Sequence, residues 1–347
     1  MKIAQVAPLY ERVPPKFYGG TERIVSCLTE ELVREGHDVT LFASGDSLTS
    51  ARLAPVCDEA LRLNQEIKDD ILYHIILIEE VARRAAEFDF IHFHLNYLHF
   101  PIARRLPTPH VTTLHGRLDL PEYVPLYREF PDAPVVSISD SQREPLPQLN
   151  WQGTVYHGLP EDLFQCRTDR GKYLAFIGRF SPEKRVDRAI EIAKRSGIPL
   201  KIAAKIENTE LDYYKSEVEP LLDDPLIEYI GEIDEEQKQD FFCNAYAQVF
   251  PIDWPEPFGL VMIEAMACGT PTIAFRCGSV PEIIDDGVTG FIVDSVEEAV
   301  ESLKRVAALD RENCRRTFQK RFSAERMLKD YVKIYGRIQS ESPSVAA

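Results

Sequence analysis

Short apolar runs alternate with longer amphipathic stretches along nearly the whole chain. Residues 3–7, 38–43, 88–94, 110–114, 135–138 and 154–156 read as strands, each too short for a helix and mostly apolar. Helical spacing fills the gaps between them, at 21–35, 69–87 and 97–105. Strand-like runs resume at 173–178, 199–205, 227–230, 248–252, 272–275 and 290–293, again with helical segments between. Alternation of this kind, repeated twice, predicts an α/β protein of two doubly wound, Rossmann-like halves, each a parallel sheet with helices on both faces. Gly158-Leu159-Pro160-Glu161-Asp162 has turn chemistry where a linker belongs, so the halves are expected at 1–160 and 161–323. A last helix is expected near 324–340.

The most informative segment is 256–270, E-P-F-G-L-V-M-I-E-A-M-A-C-G-T. A helix starting near Phe258 leaves the amides of Gly259, Leu260 and Val261 without intrahelical partners, at the positive end of the helix dipole. Such a terminus seats a phosphate, and Gly259 admits it close to the backbone. Glu256 ahead of the seat and Glu264 behind it suit hydroxyl groups on the two sides of a diphosphate, the layout of a nucleotide sugar. The alternative is purely structural, since Pro before a helix and a Glu within one are common.

Upstream, the strand 173–178 ends at Gly178, and Ser181-Pro182-Glu183 is expected to start a helix with Ser181 as cap. Arg179 and Lys184 then flank a turn at the carboxyl end of a strand, where doubly wound folds bind ligands. Arg offers a fork of donors to a diphosphate and Lys a point charge. The competing reading is two solvated cations paired with Glu183 and Asp187. In the first half, Tyr18-Gly19-Gly20-Thr21-Glu22 opens a helix after the first strand, with amides available to an anion. It reads equally as a flexible turn, with Glu22 as a first-turn residue favoured by the dipole. His115 closes the apolar strand 110–114. His92, His94 and His157 read as structural, and a metal site from His92, His94 and His99 lacks an acidic or Cys partner nearby in sequence.

In their order and spacing these segments resemble the family 4 glycosyltransferases, retaining enzymes of the GT-B fold. Glu256 and Glu264 coincide with the E-x7-E signature of that family, and Arg179 and Lys184 with its diphosphate-binding cations. The segment 278–291, G-S-V-P-E-I-I-D-D-G-V-T-G-F, looks like the family's turn after the next strand, whereas Arg185 stands where many members carry Gly. The resemblance implies a hexosyl transfer from a nucleoside diphosphate sugar to an acceptor hydroxyl. Gly19 and Gly20 would face the diphosphate, His115 the sugar near the reacting carbon, Glu256 the sugar hydroxyls, Glu264 the ribose, and the Ile233 backbone the base. It also implies that the last helix crosses back onto the first half. Two other readings stay open: a nucleotide-sugar epimerase and a non-catalytic nucleotide-sugar-binding protein.

Composition narrows the partners. The net charge of −16 argues against nucleic acid and against strong attachment to anionic lipid. Seven scattered cysteines without a C-x-x-C pair read as reduced thiols of a cytoplasmic protein. The Gly-x-Gly-x-x-Gly dinucleotide fingerprint is absent, and so is the Asp-x-Asp pair that holds a divalent cation under a diphosphate. Metal-independent transfer without a cofactor is the expectation, with the acceptor pocket built from loops 10–20, 44–65 and 115–125.

Overall fold

The computed structural model describes residues 1–17, 19–64 and 67–341. Tyr18 of the Gly-Gly loop and the tail beyond residue 341 lie outside them. The chain divides into two compact units, Met1–Pro160 with the segment from Ser323 onward, and Glu161–Phe322.

The first unit carries seven strands: β1 (Lys2–Val6), β2 (Asp38–Ala43), β3 (Arg52–Pro55), β4 (Phe90–Phe93), β5 (His110–Thr113), β6 (Val135–Ser137) and β7 (Trp151–Thr154). They pair in parallel in the order β3-β2-β1-β4-β5-β6-β7. The second unit carries β8 (Tyr173–Arg179), β9 (Leu200–Lys205), β10 (Ile227–Gly231), β11 (Ala245–Phe250), β12 (Thr272–Phe275) and β13 (Gly290–Val293), in the order β10-β9-β8-β11-β12-β13. This sheet too is parallel throughout. In each sheet the winding reverses after the third strand, between β1 and β4 and between β8 and β11. Loops at the carboxyl ends of those two pairs diverge and leave a crevice, the usual ligand position in open α/β sheets.

Helices cover both sheets because the strands are apolar on both faces. In the second unit Leu174, Phe176, Ile202, Val249 and Ile273 from the sheet pack with Val186, Ala189 and Ile190 of the helix Val186–Ser196. Burying each of the larger aliphatic side chains contributes roughly 1.5–3 kcal/mol. The helix Ala324–Glu341 belongs to the first unit, where Met327, Leu328, Tyr331 and Tyr335 are fully buried. The ring of Tyr335 lies 4.5 Å from that of Phe90 on β4.

Several expected elements are shifted. β3 has no counterpart in the sequence reading, because Arg-Leu-Ala-Pro is an edge strand that stays partly exposed and lacks an apolar run. The strand expected at 154–156 runs instead from Trp151 to Thr154. The helix expected at 97–105 shrinks to Phe100–Ala103, and that at 69–87 spans Ile71–Arg84 before a 3₁₀ turn. Among the described residues no helix is long and apolar enough to cross a membrane.

Candidate active site

The second unit's crevice between β8 and β11 gathers most of the singled-out residues. Arg179 is the last residue of β8, paired in register with Lys205 of β9. The chain then makes a 3₁₀ turn, Pro182–Lys184, and reaches the helix Val186–Ser196 only after Arg185. Ser181 therefore does not cap a helix as expected: its side chain makes no capping bond, and its Oγ is buried without a partner. Two residues bring the turn to Lys184, whose ammonium meets the carboxylate of Glu256 from the loop after β11. Lys184 Nζ also stands 4.8 Å from the centre of the Trp254 ring. Arg179 is held by Glu207 at 3.4 Å and Glu183 at 3.9 Å. The competing reading of the two cations is half met, since Glu183 does pair with Arg179, whereas Asp187 is taken by Arg185 at 2.7 Å.

Arg185 explains itself through that pairing. Its backbone is left-handed, φ 52° and ψ 49°, a conformation that favours Gly because it brings Cβ against the following carbonyl. Its guanidinium binds Asp187 through two nitrogens and Asp253 at 2.8 Å, which holds the strained turn in place. The Gly found here in the resembling family marks a left-handed position that this chain fills with a braced Arg.

Two glycines shape the approach to Glu256. Gly259, at φ 80°, is the N-cap of the helix Leu260–Ala267; a Cβ there would come within 2.7 Å of Met262. The helix thus starts at Leu260, two residues beyond Phe258, and the amides of Leu260 and Val261 fall in its first turn. Gly278 lies so close that a Cβ would stand 2.4 Å from the Glu256 backbone. The neighbouring Ser279 donates its N–H to the Glu256 carbonyl at 3.0 Å and its hydroxyl to that of Phe258 at 2.8 Å. The turn after β12 is therefore a buttress for the Glu256 loop.

Glu264 is buried in the middle of that helix and bonded at 2.8 Å to Lys238 of the helix Glu235–Cys243. Its second oxygen, Oε2, is buried and has no hydrogen-bond partner. A carboxylate with one oxygen neutralised and the other vacant is suited to accept from a ligand hydroxyl. Lys238 is a partner of Glu264 that the sequence reading missed; a single Lys in a polar helix carries no signal of burial. Ile233 is buried in the turn between β10 and the same helix, beside the capping box of Asp234 and Gln237.

In the first unit Gly19 is the N-cap of the helix Gly20–Arg34, and its carbonyl accepts from Arg23 N–H. Glu22 stands in the first turn of that helix, as one reading expected, and is buried there; desolvation pushes its pKa up to about 7. His115 follows β5. Its Nε2 lies 2.9 Å from His94 Nδ1, and its ring stacks on His157 with centroids 5.2 Å apart. Desolvation pulls its pKa down to about 3, so the ring is neutral at pH 7, although part of it keeps solvent contact. Gly19, Gly20 and His115 belong to the first unit, and Arg179, Lys184, Ile233, Glu256, Gly259, Leu260, Val261 and Glu264 to the second. Among the described residues no group of three or more His, Cys, Asp or Glu side chains is disposed to hold a metal ion.

Two doubly wound parallel sheets, with cations and carboxylates at the second switch point, define a doubly wound α/β class with its ligand crevice at the carboxyl ends of the strands. The family described as "Glycosyl transferases group 1" matches residues 162–339, and "Glycosyltransferase Family 4" matches residues 18–141. The chain belongs to the family 4 glycosyltransferases of the GT-B fold and is a glycosyltransferase. It is 26% identical to the N-acetyl-alpha-D-glucosaminyl L-malate synthase of Bacillus anthracis, over 91% of this chain and 93% of that protein. Among solved structures it is similar to AviGT4, a glycosyltransferase involved in avilamycin A biosynthesis, with TM-score 0.72, 23% identity and 98% of each chain covered. It is also similar to Anabaena Alr3699/HepE in complex with UDP and glucose, with TM-score 0.73, 18% identity, and 97% of this chain and 100% of that one covered.

Proposed function

We propose that the protein is a retaining, metal-independent hexosyltransferase that moves a sugar from a nucleoside diphosphate donor to an acceptor hydroxyl. The observation that carries this reading is the Lys184–Glu256 ion pair beside the N-terminus of the helix Leu260–Ala267. A donor would exchange partners in that pair. Its diphosphate takes the Lys184 ammonium, with Arg179 and the amides of Gly259, Leu260 and Val261 adding positive potential. Glu256 is thereby released to hold sugar hydroxyls. As the glycosidic bond to phosphate breaks, negative charge grows on the leaving diphosphate, and a fixed ammonium stabilises that charge more than it stabilises the bound donor. Glu264 Oε2 accepts from a ribose hydroxyl, and the Ile233 backbone meets the base. In the first unit His115 is assigned to the donor sugar near the reacting carbon, and Gly19 and Gly20 to the diphosphate. A uridine donor is favoured because the HepE structure holds UDP and glucose.

The test is incubation with UDP-glucose and a panel of hydroxyl acceptors, with product stereochemistry read by NMR. Transfer with retained anomeric configuration, surviving excess EDTA, is expected. Activity that vanishes with chelator and returns with manganese or magnesium refutes the metal-free reading, and an epimerised nucleotide sugar without acceptor refutes transfer.

A further inference from the structure

The other switch point, between β1 and β4, holds a buried chain of hydrogen bonds that ends at His115. Gln5 on β1 is fully buried, with its Oε1 2.9 Å from His94 Nε2 and its Nε2 donating to the Tyr335 hydroxyl at 3.4 Å. Tyr335 in turn stands 2.7 Å from His92 Nδ1, and His92 Nε2 stands 2.7 Å from Thr113 Oγ1. The last member, His115, contributes Nε2 to His94 Nδ1, while its Nδ1 is buried without a hydrogen-bond partner.

Proton positions follow from one amide. An amide oxygen only accepts, so His94 Nε2 carries a hydrogen. The ring of His94 is buried among Gln5, His92 and His115, with no carboxylate in contact among the described residues, and it stays neutral. Its Nδ1 is therefore bare, and His115 must donate from Nε2. We infer that Gln5 is a positioning residue that acts through His94 to fix His115 in one tautomer, Nε2 protonated and Nδ1 bare, so that the sugar meets a lone pair and not an N–H. This rests on the assignment of His115 to the sugar. The chemistry favours such an arrangement: a neutral acceptor orients a sugar hydroxyl without placing positive charge beside a carbon that itself becomes cationic. Reversing the Gln5 amide would reverse every bond in the chain and present an N–H instead, so the tautomer is a direct reading of the relay.

The intact protein labelled with 15N at histidine is measured by long-range 1H–15N correlation at neutral pH, His115 being identified by its loss in His115→Asn. Wild type should show a pyrrole-type Nε2 and a pyridine-type Nδ1 for His115. Gln5→Met removes the acceptor for His94 and should move both His115 nitrogens toward averaged positions. If Gln5→Met does not fold, His94→Leu cuts the same relay at its next link and must produce the same averaging. A protonated Nδ1 in wild type, or an unchanged pattern in the folded variant lacking the acceptor, overturns the inference. No substrate is needed for these arms. Titration with UDP-glucose then reads the sugar contact alone: a shifted Nδ1 supports it. A silent Nδ1 in a protein that binds the nucleotide refutes the contact and leaves the relay intact.

Discussion

Lys184 and Glu264 are each paired with an opposite charge, and their surroundings set different consequences for removing them. Lys184 retains some solvent contact and pairs with a carboxylate that a donor is proposed to displace. Lys184→Ala should weaken UDP binding by roughly 1.5–3 kcal/mol, the range for hydrogen bonds to charged groups, and leave uridine binding unchanged. Calorimetric titration of both ligands checks this, and equal losses would remove Lys184 from the diphosphate. Glu264 is different because its carboxylate is buried against Lys238. Glu264→Gln removes the charge from that buried pair and should lower stability in urea unfolding as well as nucleotide affinity. Adding Lys238→Met should restore part of the stability but not the affinity, since the carboxylate proposed to accept from the ribose is still gone. Glu256→Gln, by contrast, should not weaken UDP binding, since it removes the carboxylate that competes for Lys184, and should lower the turnover of saturating UDP-glucose, because its sugar contact strengthens as charge develops. Loss of UDP affinity with unchanged turnover would reverse the donor orientation. The spacing of the two glutamates was readable from the chain, since a turn-plus-helix dictates it. Lys238 was not, because only the packing of a second helix brings it to Glu264.

Elements show the same division between local and distant causes. Strands buried on both faces announced themselves as continuous apolar runs, and the crevice residues at the ends of β8 and β11 followed from strand order. The start of the helix after β8 was misread because Ser-Pro-Glu has the composition of a cap, while the left-handed Arg185 that actually breaks the chain gives no compositional signal. That residue permits a sharp test. A left-handed backbone costs roughly 1–2 kcal/mol for a residue with a Cβ, and partly exposed ion pairs return about 0–1 kcal/mol each. Arg185→Gly should therefore stay within about 1 kcal/mol of wild type in urea unfolding, whereas Arg185→Ala, which keeps the strain and loses Asp187 and Asp253, should fall below Gly by about 1 kcal/mol. Equal stabilities for Ala and Gly would mean that the turn is not held left-handed.

At the scale of the whole molecule the buried histidines govern the response to acid. His92, His94, His99 and His157 are all buried, and desolvation holds each well below the usual imidazole value. The unfolded chain takes up protons on them near pH 6.5, the folded chain only at much lower pH, so their stability is present above that value and lost as pH falls. Glu22 acts in the opposite sense: its pKa is raised to about 7, so it takes up its proton more readily when folded. The buried histidines outnumber Glu22, so between pH 6.5 and 5 the folded chain takes up fewer protons than the unfolded one and stability falls with pH. His115, whose ring keeps some solvent contact, adds less. Thermal melting should drop steeply over that interval, and a flat profile would show that these rings are solvated or already charged when folded.

The helix Ala324–Glu341 adds a consequence in time. Its Tyr331 and Tyr335 complete the first unit, yet they are translated after the whole of the second. At roughly 5–20 residues per second the nascent first unit waits on the order of ten seconds or longer for its last piece. Throughout that interval the β4 surface around Phe90 and His92 lacks its cover, an apolar seam that waits for the helix Ala324–Glu341.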